Sequence, residues 1–396
     1  MNYREATEWL YSTQLFGIKL GLEGPTQLLR DFLAFPSHRT KVIHVAGTNG
    51  KGSTCAMIDS LGRNLGLRTG LFTSPHLVDF RERIRVSGGE ISEEKTARLL
   101  TEIRALVADW DPHPTFFEIT LAIAMRHFRD SGCELLVLET GMGGRLDATT
   151  AVPADVCVLT SIAMDHSKWL GDTLTKIAEE KTGIAVEGKP LISAPQDSEA
   201  ELAIKRTANQ KRAPLDFIEG PLMGYSLSLS GEHQRENAAL ACEAMTAAGY
   251  YLNFDVVQYA LANTDWPGRF ERATQNLILD AAHNPQAADA LVATFSQEFP
   301  GKKAQIIFGA VEDKHADKLI NILESIACHF HFVPVDSPRG LPPESHHTEL
   351  PSTVHHSLPQ ALDATKDSLT LLTGSLFLLG QAKGFLQSKI TRQTSQ

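Results

Sequence analysis

The sequence is poor in features that would place it outside the ordinary globular class. Its five cysteines, Cys55, Cys133, Cys157, Cys242 and Cys328, never form a CxxC pair and are odd in number. That pattern fits free, mostly buried thiols in a reducing cytosol. There is no basic excess: 37 Lys and Arg stand against 47 Asp and Glu, a net charge of −10. A nucleic-acid partner normally requires a basic face, so none is expected. No stretch approaches the roughly 18 uncharged apolar residues of a membrane span. The opening MNYREATEWLYSTQ carries charges where a secretion signal has an apolar run. The expectation is a cytoplasmic chain with no membrane partner. Internal repeats, low-complexity tracts and a guanine-reading NKxD sequence are also missing.

What is present is length and alternation. A chain of 396 residues that is 42% hydrophobic suits two domains better than one. Candidate strands are 42–46, 135–139, 156–160, 190–193, 277–280, 305–308, 330–335 and 369–373. Helical patterns cover 54–65, 174–186, 286–299 and 314–327. This alternation predicts α/β folds with largely parallel sheets, whose strands read as continuous apolar runs because both faces are covered. The Pro-Gly pair in NTDWPGRF, 263–270, marks the domain boundary. Residues 1–267 are expected to form a P-loop ATPase domain, and 268–396 a smaller Rossmann-like α/β domain. The Pro, Ser and His-rich stretch 334–359 reads as a loop. His346, His347, His355 and His356 in it are expected on the surface, and His329 and His331 as structural strand residues.

The strand at 42–46 runs directly into GTNGKGST: Gly47, Thr48, Asn49, Gly50, Lys51, Gly52, Ser53 and Thr54. Glycines let backbone amides surround phosphate oxygens, and the following helix start favours an anion. Lys51 suits the β/γ-phosphates, and Ser53 or Thr54 suits Mg²⁺. The loop is two residues shorter than GxxxxGK[ST], so a ligand-free glycine turn is the competing reading.

Two further strand ends carry polar groups. Glu139 opens LETGMGGRLDATT, and Asp165-His166 lies in SIAMDHSKWLG. Ligands of α/β sheets collect beyond the carboxyl ends of strands. Mg²⁺ prefers oxygen donors, which Glu139 and Ser74 of TSPHL supply, while a His ligand is less usual. Glu139 reads equally as a helix-capping carboxylate, and His166 as a core histidine. Lys181, in AEEKTGI, reads as a solvated lysine paired with Glu179 or Glu180.

These segments occur in order with FGIKLGLEG (16–24), HQRENA (233–238), WPGRFE, LDAAHNP, GAVEDK (309–314) and TGSL (373–376). Together they resemble the folylpolyglutamate synthase/dihydrofolate synthase family of the Mur ligase superfamily. The resemblance implies an ATP-dependent ligase adding L-glutamate to dihydropteroate and to the γ-carboxylate of reduced folates. It implies two Mg²⁺ sites served by Ser53, Ser74, Glu139 and His166, and a carbamylated Lys181. It implies ATP contacts from Asn237, Arg269, Asp280 and His283, and pterin contacts from Phe117, Asp147 and Ala148. Lys51, Lys181, His166 and Arg269 would be the catalytic group. Thr150 and His315 depart from the family pattern without removing a catalytic group.

Amide formation of this kind needs the carboxylate activated as an acyl phosphate, which an amine then attacks. Positioning and charge neutralisation dominate such phosphoryl transfer. A peptidoglycan-type Mur ligase is disfavoured, since 46 residues before Gly47 are too few for a further α/β domain. A P-loop switch and a small-molecule kinase share the loop but leave the Asp280–Pro285 motif unexplained. Within the family, elongation of folates alone is the alternative to a bifunctional enzyme, and a monomer is expected.

Overall fold

The computed structural model describes residues 1–394 other than 18, 20, 166, 313 and 314, with backbone alone at 167, 168 and 389–394. The chain divides into two compact units. The first comprises residues 1–76, 80–228 and 235–264, and the second 77–79, 229–234 and 265–396. The short excursions at 77–79 and 229–234 carry no signal in composition. Among the described residues, no helix is long and apolar enough to cross a membrane.

The first unit is built on an eight-stranded sheet. Its strands are β1 (Lys41–Ala46), β2 (Thr69–Phe72), β3 (Ile84–Val86), β4 (Gly89–Glu90), β5 (Leu135–Glu139), β6 (Val156–Leu159), β7 (Leu191–Ser193) and β8 (Leu215–Phe217). The order is β4-β3-β2-β5-β1-β6-β7-β8. Strands β2, β5, β1, β6, β7 and β8 run parallel, and β3 and β4 form an antiparallel edge. The central strands are apolar and buried, as both faces are covered. One cover is helix Lys51–Asn64, in which every residue from Gly52 to Gly62 is buried. Another is helix Phe116–Asp130, started by a capping box between Thr115 and Glu118. Because β1 is central, the turn at its end has β5 on one side and β6 on the other. Glu139 and Thr160–Ser161 therefore emerge on either side of Gly47.

The second unit holds a six-stranded sheet of order β13-β12-β11-β14-β10-β9. The ranges are β9 (Glu271–Arg272), β10 (Leu277–Leu279), β11 (Ala304–Phe308), β12 (Ala327–Phe332), β13 (Ser352–Val354) and β14 (Thr370–Thr373). All but β9 are parallel. Two apolar clusters cover its faces. Helix Pro285–Glu298 packs into one of them, with Asn284 as N-cap and proline at its first position.

Three expectations need correction here. The helix anticipated over 314–327 spans only Ala316–Leu323, because Ala327 already begins β12. The stretch 334–359 is not simply a loop, since it contains β13. Its histidines are not all on the surface either. His346 is buried, with its ring 5.3 Å from those of Phe308 and Phe332. His355 Nε2 lies 2.9 Å from His331 Nδ1.

Candidate active site

The turn after β1 is shaped by what surrounds it. Gly47 has φ +150°, and a Cβ there would sit 1.8 Å from Thr160 Oγ1. Gly50 is the N-cap of helix Lys51–Asn64 with φ +91°, and its Cβ would fall 2.4 Å from Asn237 Oδ1. Only glycine fits either position. Thr48 and Asn49 anchor the turn by donating their N–H groups to Ser161 O, at 2.9 and 3.2 Å. Thr48 also exchanges hydrogen bonds with Ala163. Asn237 is buried and accepts from Thr54 Oγ1 at 3.3 Å.

Two lysines converge on one carbonyl. Lys51 Nζ donates to Gly47 O and Thr48 O, each at 3.1 Å. Lys181 Nζ donates to Gly47 O at 2.7 Å. Lys181 is buried, which overturns the solvated reading. Its neighbours pair elsewhere, Glu180 with Arg145 and Glu179 with Arg206, leaving Lys181 on the inner face of helix Leu174–Thr182.

Glu139 is buried at the end of β5, and Ser74 donates its N–H to Glu139 Oε2 at 3.0 Å. Gly52 follows Lys51 in the first turn of the helix, and Ser53 lies just beyond it. The hydroxyls of Ser53 and Thr140 are buried without a hydrogen-bond partner among the described residues. Buried hydroxyls are normally satisfied. An oxygen-seeking cation bound largely through water and phosphate would satisfy them, which is how Mg²⁺ is usually held. Among the described residues, no three of His, Cys, Asp and Glu gather as a metal cage. This donor set of hydroxyl plus carboxylate therefore fits Mg²⁺. His166 lies outside the described residues.

Of the proposed pterin residues, Asp147 and Ala148 lie in the loop after β5, and Phe117 lies in the first turn of helix Phe116–Asp130. The Phe117 ring is 5.7 Å from that of Phe72 and lies against Gly141. Asp147 is buried and accepts from Met142 N at 2.9 Å and Thr149 N at 3.0 Å. Burial raises its pKa against these hydrogen bonds. It caps the short turn Ala148–Ala151, in which Ala148 is buried. Thr149 Oγ1 also donates to Asp147 Oδ1, and it lies 2.7 Å from Nε2 of buried His44 on β1. With the Thr149 proton committed to Asp147, His44 must donate through Nε2–H. Burial lowers the His44 pKa to about 3. His44 is thus a neutral support under the loop. A contact spanning that much sequence left no local mark.

The second unit has its own cluster. Asp280 follows β10 and accepts from Phe270 N at 2.8 Å and Ala282 N at 2.9 Å. Burial raises its pKa, opposed first by the charge of Arg269. Arg269 donates to Gly268 O at 3.0 Å, and His283 donates Nδ1–H to Ala281 O at 2.8 Å. His233, singled out only as part of a motif, joins this group: burial, then Arg269, lowers its pKa to about 4.

Comparison with known proteins gives family matches along most of the chain. Residues 45–191 match the Mur ligase middle domain, and 268–376 match the Mur ligase glutamate ligase domain. The chain is 34% identical over 372 residues to the dihydrofolate synthase/folylpolyglutamate synthase of Bacillus subtilis, covering 85% of this chain and 86% of that protein. It superposes on Escherichia coli FolC in complex with DHPP and ADP with a TM-score of 0.88 at 30% identity, covering 97% and 98% of the two chains. The bifunctional folylpolyglutamate synthase/dihydrofolate synthase of Yersinia pestis, complexed with AMPPNP and Mn ion, gives 0.88 at 27% identity, covering 98% of each.

Proposed function

This chain belongs to the folylpolyglutamate synthase/dihydrofolate synthase family of the Mur ligase superfamily, and on that premise we propose that it joins L-glutamate to dihydropteroate and to the γ-carboxylate of reduced folates, using ATP. The observation that carries the reading is the convergence around Gly47. Two lysines meet on its carbonyl, and an unpartnered Ser53 hydroxyl and buried Glu139 stand in the same unit.

The residues divide the work. The Gly47–Thr54 turn cradles phosphate oxygens with backbone N–H groups, and Lys51 swings from carbonyls to the β/γ-phosphates. Ser53, Ser74, Glu139 and His166 would hold Mg²⁺ at two sites, and the metal would supply neutralisation of phosphate charge. Lys181 is carbamylated and contributes an anionic group beside the turn. Asn237, Arg269, Asp280 and His283 contact the nucleotide. Phe117 stacks on the pterin, with Asp147 and Ala148 at its edge. In the reaction, a carboxylate oxygen of the acceptor bonds to the γ-phosphorus and ADP leaves. The glutamate amine then bonds to the acyl carbon, phosphate leaves, and the amine's proton is released. The five cysteines are all free, which supports a reducing, cytoplasmic setting, and the working form is a monomer.

The test is ADP release measured with dihydropteroate and with a reduced folate in separate reactions. Turnover is expected with each, and only when Mg²⁺ and glutamate are both present. Turnover with the folate alone reduces the activity to chain elongation, and glutamate-independent ADP release sinks the ligase reading.

A further inference from the structure

Arg83 is a buried cation that none of the roles above uses. It closes the turn Phe80–Arg83 at the head of β3. Its carbonyl accepts from Thr73 N at 3.1 Å, and the next residue after Thr73, Ser74, gives its N–H to Glu139. Sheet register therefore fixes Arg83 beside the strand end that carries Glu139. The residue is 8% exposed. Its Nε donates to His76 Nδ1 at 2.7 Å, and His76 Nε2 lies 3.3 Å from Tyr11 Oη. The guanidinium stands over the Phe116 ring, 5.3 Å from its centre. Phe117, the next residue along, is the one proposed to stack on the pterin.

Other arginines of this unit have carboxylate partners: Arg63 with Asp59, Arg126 with Asp130, Arg145 with Glu180. Among the described residues, no carboxylate forms an ion pair with Arg83. Burial lowers its pKa to about 10, partly offset by Tyr11, then Glu139 and Glu82, so it stays charged at neutral pH. A buried cation without a paired carboxylate is unfavourable. Such a cation is retained where an anionic ligand completes it. The planar guanidinium fork matches a carboxylate, and the aromatic rings at its side match the flat acceptor.

We propose that Arg83 is a catalytic residue that binds the reacting carboxylate of the pteroate or folate acceptor. This rests on the ligase reading above. Arg83 holds one carboxylate oxygen while the other bonds to the γ-phosphorus and ADP departs. The held oxygen becomes the carbonyl of the acyl phosphate. When the amine adds to that carbon, the developing oxyanion already faces two N–H donors. The carbonyl re-forms as the C–O bond to phosphate breaks.

The experiment uses the full chain with Arg83→Gln and Arg83→Lys. Affinities for dihydropteroate and for a hydroxymethyl dihydropterin, which lacks the carboxylate, are measured by fluorescence titration. Arg83→Gln should weaken dihydropteroate roughly 10- to 100-fold and leave the carboxylate-free pterin unchanged. The KM for ATP should stay within about twofold, because Arg83 holds the acceptor and makes no contact of its own with the nucleotide in this proposal. Arg83→Lys, which keeps the charge but not the fork, should fall between, and it decides the matter if the Gln variant does not fold. Equal weakening of both pterins, or of neither, overturns the proposal while the ligase reading stands. A wild-type chain that binds neither pterin overturns both.

Discussion

At the scale of single residues, burial decides what each charge is for. Lys181 looks solvated in sequence because two glutamates precede it, yet both glutamates face outward to arginines and the lysine turns inward to Gly47. Lys181→Arg keeps a cation near that carbonyl but cannot carry a carbamate. It is expected to lower kcat at least ~100-fold, the scale of losing one strong electrostatic group, and Lys181→Ala should regain activity with added acetate or formate. Full activity in the Arg variant would exclude the carbamate. His44 gives a prediction in pH. Its folded pKa is about 3 against an ordinary 6.5. Between those values the unfolded chain binds more protons, so the stability it supports is complete above pH 6.5 and drains away as pH falls. Urea midpoints taken at pH 7.5 and 5 should therefore differ less in His44→Gln than in the wild type. An unchanged difference would show that His44 is not buried neutral. Neither His44 nor Arg83 was legible as functional in the sequence, since their partners, Thr149 and the β2–β5 strand ends, are distant along it. The strand–turn–helix form around Gly47–Thr54 was legible because its signal is contiguous.

At the scale of elements, the same contrast between local and distant information holds. Strand β5 was read to the residue, and β1 and β6 within one residue at an end, because an uninterrupted apolar run is a local signal. Strands β2, β3, β4, β8, β9 and β13 were not foreseen. Each has four residues or fewer, and they gain strand geometry from a neighbour rather than from their own pattern. The overrun of helix Ala316–Leu323 has the same origin, since Ile326 and Ala327 continue its apolar pattern while pairing belongs to β12. Two glycines offer a test of what the turn proposed to cradle phosphate demands. Gly66 has φ +79° with nothing near a added methyl, so Gly66→Ala should cost about 1 kcal/mol of stability through backbone strain alone. Gly50→Ala meets the Asn237 side chain as well, and should abolish measurable ADP binding by calorimetry. Equal ADP affinity in the two variants would contradict the tight fit of that turn.

At the scale of the whole molecule, a chain of net charge −10 handles anionic substrates by local concentration of cations. Lys51, Lys181 and Arg83 all lie in the first unit, clustered near the carboxyl ends of its central strands. The fold class and the order of motifs were readable from sequence, whereas the division at 77–79 and 229–234 was not, because short excursions change no composition. Saturating MgADP, at about 100 times Kd, should stabilise the native state by ~2.7 kcal/mol. That appears as a melting-temperature rise of several degrees, lost when EDTA is added, and a rise that survives EDTA would place the nucleotide independently of the metal. The burial of helix Lys51–Asn64 along its length has a further consequence, for inheritance. An ordinary surface helix has an outer face where mutation drifts freely. This one, enclosed from Gly52 to Gly62, has none, so exhaustive codon replacement should find this stretch as intolerant as the strands, and substitutions that reach the Gly47–Thr54 turn along its own helix will seldom be silent.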